Sequence, residues 1–197
     1  MFGVQSTVDI KNDLLGDLGL GEDYSSPAIE ALVGGESRWI KDLRVNLKNV
    51  LKSDHLSNKE TALLGLAVAV NQKNDVLQAF FTDLARNHEA TDAEIGDATA
   101  CASLLAANNV FYRFRHFVEK ESYSRMPARI KMTLMAKPKL EKEFFELVSL
   151  AVSAVNGCEM CVSSHEQSVL KLGSKEERVF DAVRLVSIVT SLDKIVY

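Results

Sequence analysis

The residues ELVSLAVSAVNGCEMCVSSH, at positions 146–165, decide the fold of this protein. The first half is rich in Ala, Val and Leu and has the length of a helix. Asn156-Gly157 then provides a helix end, because glycine readily adopts the positive φ of a C-terminal cap. A second helix starts at about Cys158. Since a short connection leaves two helices side by side, the stretch predicts a helical hairpin.

The same pattern occurs earlier in the chain. Residues 66–81, LAVAVNQKNDVLQAFF, and residues 150–165, LAVSAVNGCEMCVSSH, each combine an apolar helix, an asparagine, a short break and a second helix. A further apolar helix with an acidic start follows both copies. We therefore predict a degenerate internal duplication of helix pairs, with repeats at about 57–120 and 140–197.

The two copies differ at the break between their helices. In the first copy Lys73 and Val76 stand where Cys158 and Cys161 stand in the second. We expect a reactive site in the second copy and a scaffold in the first. Cys158 falls near the first turn of its helix, where unpaired backbone N–H groups and the positive end of the helix dipole stabilise a thiolate.

Two further polar residues are predicted to lie beside these cysteines. Cys158, Cys161 and His165 are spaced i, i+3, i+7 and share a helix face, so the His165 ring can accept a proton from the Cys161 thiol. Glu146 lies in an apolar stretch of the preceding helix, and the hairpin can turn it toward the cysteines. Buried there, its carboxyl group would either have a raised pKa or pair with His165, and both outcomes serve proton transfer.

The rest of the sequence is typical of an all-α protein. It has only three prolines and ten glycines in 197 residues, fewer of these turn-forming residues than the many tight turns of an all-β fold need. Ser57 with Glu60, and Thr91 with Glu94, have the capping-box form that begins a helix. We divide the chain into an N-terminal helical extension, residues 1–54, packed on a helical domain at 55–197.

Composition and charge exclude several classes of function. The formal net charge is -4, and no basic stripe of the kind that binds nucleic acid is present. The N-terminus lacks the pattern of a signal peptide, and no stretch reaches the ~18 apolar residues of a membrane span. We expect a cytoplasmic protein. In that compartment a close cysteine pair is typically redox-active or metal-binding.

The cysteine motif allows two other interpretations. A structural zinc site would use Cys158, Cys161, His165 and perhaps Glu146, but zinc ligands usually come from two separated pairs. A thioredoxin-like fold would place the motif after a β-strand, whereas the residues before Cys158 have helical length and composition. Redox chemistry is favoured over both.

The remaining candidate residues are interpreted as structural. Cys101 lies among Ala and Leu in a predicted buried helix and behaves as a small hydrophobe. Arg113 is assigned to a solvated helix face, and the neighbouring aromatic residues to the core or a subunit interface. The other histidines have no predictable partners and are expected at the surface or at helix caps: His55, His88 and His116.

The pattern Glu-x11-Cys-x2-Cys-x3-His, with Asn-Gly before the first cysteine, resembles the active-site signature of the alkyl hydroperoxide reductase D (AhpD) family, in the carboxymuconolactone decarboxylase superfamily. The resemblance runs from about Trp39 onward and includes Asn108–Arg113. It implies an all-α, AhpD-like fold and an antioxidant thiol peroxidase that reduces alkyl hydroperoxides and hydrogen peroxide. One difference is Met160, which stands where the best-studied AhpD pattern has a second histidine.

The resemblance also implies roles and partners. Cys161 would be the peroxidatic cysteine and Cys158 the resolving one, closing a redox-active Cys158–Cys161 disulfide. Glu146 and His165 would relay protons. No bound cofactor is implied; an external dihydrolipoamide, carried by a lipoyl-bearing protein, or another thiol would be the reductant, and the assembly would be a homotrimer. The alternatives are a general thiol–disulfide oxidoreductase, a non-redox enzyme of the superfamily and a non-catalytic zinc-binding module.

Overall fold

A computed structural model describes residues 5–197 of the chain. Within that range the chain forms α-helices and no β-strand, which confirms the predicted all-α class. None of the helices in the same range is long and apolar enough to cross a membrane. The helices are α1 (Thr7–Asp17), α2 (Pro27–Gly34), α3 (Trp39–Val50), α4 (Asn58–Asn71), α5 (Asp75–Asn87), α6 (Asp92–Val118), α7 (Glu121–Arg125), α8 (Thr133–Ala136), α9 (Lys142–Val155), α10 (Glu159–Lys171) and α11 (Glu176–Leu192).

Local capping sets the starts of two long helices. At α4 the Ser57 hydroxyl accepts a hydrogen bond from the Glu60 N–H, and the Glu60 carboxylate accepts one from the Ser57 N–H. Thr91 and Glu94 begin α6 by the same reciprocal pair of bonds. Both starts follow from sequence because each box lies within four consecutive residues and satisfies backbone N–H groups that a helix leaves unpaired.

Helices α4 and α9 form the centre of the fold. Every residue is buried from Thr61 to Ala69 in α4 and from Phe144 to Ser153 in α9. A helix buried on all sides must be surrounded by other elements. Helix α4 packs against α5, α6, α9 and α11, and α9 packs against α10, α11, α6 and α4. The units α4–α6 and α9–α11 are thus built alike, which confirms the predicted duplication of helix pairs.

Ion pairs at matching positions link the helices of each unit. Lys59 of α4 binds Glu94 of α6 at 2.8 Å, and Glu143 of α9 binds Arg178 of α11 at 3.0 Å, with the charges reversed. The Arg178 guanidinium also binds Glu60 of α4 at 2.6 Å. A single side chain, 17% exposed, therefore joins the two central helices through carboxylates from both units.

The N-terminal helices pack on the second unit. Helix α3 lies against α11, and α1 lies against α3. The Tyr24 hydroxyl donates a hydrogen bond to the Tyr197 carbonyl and accepts one from the Tyr197 N–H, both at 2.9 Å. These two bonds connect the loop after α1 to residue 197. Buried residues of α1–α3 belong to the same hydrophobic core as the other helices. The division into 1–54 and 55–197 stays a prediction.

The last turns of α6 leave a strip of apolar side chains exposed. Val110, Phe114 and Phe117 are 60%, 45% and 73% exposed and are spaced i, i+4, i+7 on one side of the helix. The Phe114 ring also contacts Tyr123 of α7 edge to face. From the sequence, the aromatic residues of this region are assigned to the core or to a subunit interface. Because the strip is exposed, an interface explains it better than the core does.

Candidate active site

The turn between α9 and α10 places the two cysteines. Gly157 adopts a φ of 67°, and Cys158 is the residue that caps α10. Cys161 consequently lies in the first turn of α10, where backbone N–H groups have no acceptor within the helix. The positive end of the helix dipole at this position favours the thiolate form of a cysteine.

Cys158 and Cys161 are joined by a disulfide in the structure, with their Cα atoms 5.3 Å apart. Both residues are buried, Cys158 at 1% exposure and Cys161 at 7%. Within residues 5–197, no group of three or more His, Cys, Asp or Glu side chains is arranged to hold a metal ion.

Glu146 of α9 and His165 of α10 are in direct contact. The Glu146 Oε2 atom lies 2.7 Å from His165 Nδ1, and the Glu146 Oε1 atom lies 2.5 Å from the Lys142 ammonium nitrogen. Glu146 is 6% exposed and His165 8% exposed. Helices α9 and α10 thus bring together the carboxylate and the imidazole that the sequence predicts to be close, and they add Lys142.

These contacts determine the ionisation of Glu146. Burial alone would raise the pKa of its carboxyl group, but the hydrogen bonds from His165 and Lys142 outweigh burial and hold the pKa below its usual value. The sequence predicts that Glu146 has either a raised pKa or an ion pair with His165. The structure shows the ion pair. Glu146 is an anion at neutral pH and fixes the orientation of the His165 ring.

We expect Glu146→Gln to destabilise the protein at neutral pH and to have less effect in acid. Because folding lowers the Glu146 pKa, its carboxylate contributes stability above the usual value of 4.5, and that contribution is lost as the pH falls through the folded-state pKa. The expected loss at pH 7 is about 1–2 kcal/mol, the scale of a hydrogen bond to a charged group. Thermal unfolding from pH 7 to pH 3 measures it.

Glu177→Gln is the matched control, since Glu177 is exposed. Its melting temperature should follow the wild-type value throughout the pH range. A destabilisation by Glu146→Gln that stayed constant from pH 7 to pH 3 would contradict the assignment of an ionised Glu146.

A cavity of about 320 Å³ opens on this group of residues. Its wall is largely apolar and comes from α6, α10 and the segment around α8. The lining residues are Leu105, Asn108, Tyr112, Met132, Met135, Met160, Cys161, Ser164 and His165. A larger cavity, of about 520 Å³, lies between the N-terminal segment and α5 and has neither cysteine nor histidine in its lining. The smaller cavity is the candidate substrate site because it meets the cysteine and the histidine.

A network of amides, in which Asn109 is buried and Asn71 and Asn156 are part-buried, holds the turn before Cys158. The Asn156 side chain accepts from Asn71 and donates to Asn109, both at 2.9 Å, and Asn109 donates to Ser153 at 3.0 Å. Arg113 donates to the Asn156 carbonyl at 2.7 Å and so caps the end of α9. The two asparagines that end the first helix of each repeat are thus in direct contact.

The third cysteine is buried and does not line the cavity. Cys101 is 0% exposed, and its sulfur lies 3.4 Å from the Ser149 hydroxyl. Burial raises the pKa of the Cys101 thiol to about 12. A thiol of this kind is inert at neutral pH, which agrees with its interpretation as a small hydrophobe.

Known proteins resemble this chain in sequence over most of its length. The chain is 46% identical to the alkyl hydroperoxide reductase AhpD of Anaeromyxobacter dehalogenans (strain 2CP-C), over 82% of this chain and 87% of that protein. It is 34% identical to the protein of the same name from Coxiella burnetii (strain Dugway 5J108-111), over 80% and 90%. The chain belongs to the AhpD family. Residues 121–196, which contain the cysteine turn, also match the model of the carboxymuconolactone decarboxylase family.

The fold is that of the wider superfamily. A Burkholderia xenovorans protein, assigned as a gamma-carboxymuconolactone decarboxylase subunit, superposes with a TM-score of 0.67 over 94% of this chain and 92% of its own. The two sequences are only 15% identical, so this likeness concerns the fold alone. The AhpD-like helical fold inferred from the cysteine motif and the repeat is confirmed.

In this member of the AhpD family, several residues have contacts that the sequence interpretation missed. Lys142 lies one turn before Glu146, and their i, i+4 spacing was the available signal. Arg113, assigned to a solvated face, instead caps α9, a contact between helices distant in the chain. His55, for which the sequence indicates no particular partner, lies 3.0 Å from Asp181, and His116 lies 3.6 Å from Glu159.

Proposed function

We propose that the protein is an antioxidant thiol peroxidase that reduces alkyl hydroperoxides and hydrogen peroxide through Cys158 and Cys161. The observation that carries the proposal is the apolar cavity that meets Cys161 and His165, with Cys161 paired to Cys158. The proteins named alkyl hydroperoxide reductase that this chain resembles over most of its length support the same activity.

Cys161 is the residue that attacks the hydroperoxide. Its sulfur lines the cavity and lies in the first turn of α10, whereas Cys158 is more deeply buried. The Cys161 thiolate forms a bond to the terminal oxygen of R–O–O–H while the O–O bond breaks. Cys161 becomes a sulfenic acid, and the alkoxide takes a proton and leaves as the alcohol ROH.

Cys158 completes the cycle. The Cys158 thiol attacks the Cys161 sulfur, an S–S bond forms, and the sulfenic oxygen leaves as water with the Cys158 proton. Two electrons have then passed from the two thiols to the hydroperoxide. An external dithiol of the dihydrolipoamide type, or another thiol, reduces the disulfide by exchange and is itself oxidised. No bound cofactor is needed for this cycle.

His165 and Glu146 move the protons. The Nδ1–H group of His165 donates a hydrogen bond to the Glu146 carboxylate. The other ring nitrogen, Nε2, therefore takes the proton of the Cys161 thiol and returns it to the alkoxide. The Glu146 carboxylate stabilises the imidazolium that forms in between. Lys142 holds the second carboxylate oxygen and keeps Glu146 in this orientation.

The assembly and compartment follow from the same proposal. The exposed strip Val110, Phe114 and Phe117 on α6 provides an apolar surface for a homotrimer. A cycle that depends on a reduced dithiol donor suits the cytoplasm, where thiols are kept reduced. A lipoyl-bearing protein is then the electron-donating partner.

A second candidate function is a general thiol–disulfide oxidoreductase with little peroxidase activity. Met160, which is 36% exposed at the edge of the cavity, favours it, because a thioether cannot relay protons as a histidine does. The disulfide chemistry would be the same, but the substrate would be another protein's dithiol or disulfide.

Turnover of cumene hydroperoxide with dihydrolipoamide as the donor tests the proposal. We expect saturable consumption of both reactants in equal amounts, and no consumption after the reduced protein has been alkylated at its thiols. Glutathione in place of dihydrolipoamide tests the class of donor.

Two results would contradict the peroxidase. Consumption that persisted after alkylation would point to an enzyme that does not use its thiols. No consumption, from a protein whose Cys158–Cys161 disulfide is readily reduced by dihydrolipoamide, would favour the general oxidoreductase instead.

A further inference from the structure

Two neighbouring asparagines of α6 differ in their hydrogen bonding. Asn108 and Asn109 are both buried, at 4% and 1% exposure. Asn109 donates to Ser153 and accepts from Asn156, so both ends of its amide are paired. Among residues 5–197, by contrast, the Asn108 Oδ1 atom has no hydrogen-bond partner. Its Nδ2 atom has only the weak thioether acceptor of Met135, at 3.6 Å.

Burying an amide carbonyl without a partner costs free energy, so packing alone does not account for Asn108. An apolar side chain of similar size, such as leucine, would fill the same space without that cost. Asn109 needs no such explanation, because it belongs to the amide network that holds the α9–α10 turn. The contrast separates a structural asparagine from one whose hydrogen-bonding capacity is unused.

The position of Asn108 indicates which kind of molecule would form hydrogen bonds with its amide. Asn108 lines the cavity together with Cys161 and His165, in a wall that is otherwise largely apolar. The Met135 sulfur lies 3.6 Å from the Asn108 Nδ2 atom, and the methionine side chain is unbranched and flexible and therefore easily displaced by a ligand. A ligand that moves the thioether aside can accept a hydrogen bond from Nδ2 and can donate one to Oδ1, which has no partner among the described residues.

We propose that Asn108 binds the –O–O–H group of the substrate, an inference that rests on the peroxidase function. The terminal O–H donates to Oδ1, and Nδ2 donates to the oxygen bonded to carbon, so the amide holds both peroxide oxygens. When the Cys161 thiolate takes the terminal oxygen and the O–O bond breaks, negative charge develops on the alkoxide oxygen. The Nδ2 donor stabilises that charge until His165 supplies the proton.

The rate of oxidation of reduced Cys161 tests this role. We expect Asn108→Leu and Asn108→Ala to slow oxidation by roughly 10- to 100-fold, the lower part of the range for loss of a donor to a developing oxyanion. The loss should be similar for cumene hydroperoxide and hydrogen peroxide, because both carry the O–O–H group. Alkylation of Cys161 by iodoacetamide, which needs only the thiolate, should keep its wild-type rate, and Asn108→Leu should not lower the melting temperature.

Asn12→Leu is the matched control. Asn12 lies on α1, away from the cavity, and its Oδ1 atom is likewise buried with no partner in the part of the chain that the structure describes. Its replacement should leave oxidation at the wild-type rate.

Three results would overturn the role of Asn108: an unchanged oxidation rate, an equal loss in oxidation and alkylation, or a loss confined to cumene hydroperoxide. In each of these the wild-type protein still reacts with hydroperoxide, so the peroxidase proposal stands. If the wild-type protein itself fails to react, both proposals fall together.

Discussion

Cys161→Ser is expected to abolish hydroperoxide turnover, with a loss of about 10³-fold or more, as for other enzymes that lose their nucleophile. A serine hydroxyl is not ionised at neutral pH, so neither the helix dipole nor His165 can make it a comparable nucleophile. Consumption of cumene hydroperoxide with dihydrolipoamide as donor is the measurement.

Cys158→Ser should also stop turnover, but at a different step. Its Cys161 still reacts once, so the variant should consume an equimolar amount of hydroperoxide and accumulate a sulfenic acid that a dimedone label traps. In Cys161→Ser the label should find nothing. This difference distinguishes the attacking cysteine from the resolving one.

Cys101→Ser is the control, because Cys101 is a buried thiol with a raised pKa and lies outside the cavity wall. It should retain turnover, although the hydroxyl in an apolar site lowers stability somewhat. Wild-type turnover in both Cys158→Ser and Cys161→Ser would refute the thiol mechanism. A single-turnover burst in Cys161→Ser instead of Cys158→Ser would exchange the two roles.

Arg178→Met is expected to lower the free energy of unfolding by roughly 2 kcal/mol, between the loss for an exposed ion pair and the loss for one partner of a fully buried pair. Arg178 binds Glu60 at 2.6 Å and Glu143 at 3.0 Å, and its removal leaves two part-buried carboxylates close together without a cation. Burial alone would lower the pKa of Arg178, but hydrogen bonds to both carboxylates raise it above the usual value for arginine. Urea unfolding at pH 7 measures the change.

Arg184→Met is the matched control for this prediction. Arg184 pairs with Asp181 on the same helix at 3.2 Å, but its side chain is 54% exposed. Loss of an exposed pair should cost less than about 1 kcal/mol. Equal effects of the two substitutions would show that the Arg178 contacts stabilise no more than a surface pair does.

The sequence by itself determined those features that arise between residues near each other in the chain. The capping boxes at Ser57 and Thr91 lie within four residues, so their hydrogen bonds are local. The Asn156-Gly157 turn and the i, i+3, i+7 spacing of Cys158, Cys161 and His165 are properties of one turn and one helix. The all-α class follows from the same local patterns. The roles of the site residues stay predictions until the variants above are measured.

Only the tertiary structure decided how distant helices meet around those local features. Arg178 binds carboxylates of α4 and α9, Arg113 of α6 caps α9, and Met135 contacts the amide nitrogen of Asn108. No sequence pattern specifies these contacts, because each depends on where two helices cross and on the rotamers that pack between them. The sequence shows that an asparagine or an arginine is present, but it does not show whether the amide or guanidinium finds a hydrogen-bond partner in the folded protein. For that reason the Asn108 carbonyl, which has no partner within residues 5–197 and lies in the same cavity wall as Cys161, could be identified only in the folded chain.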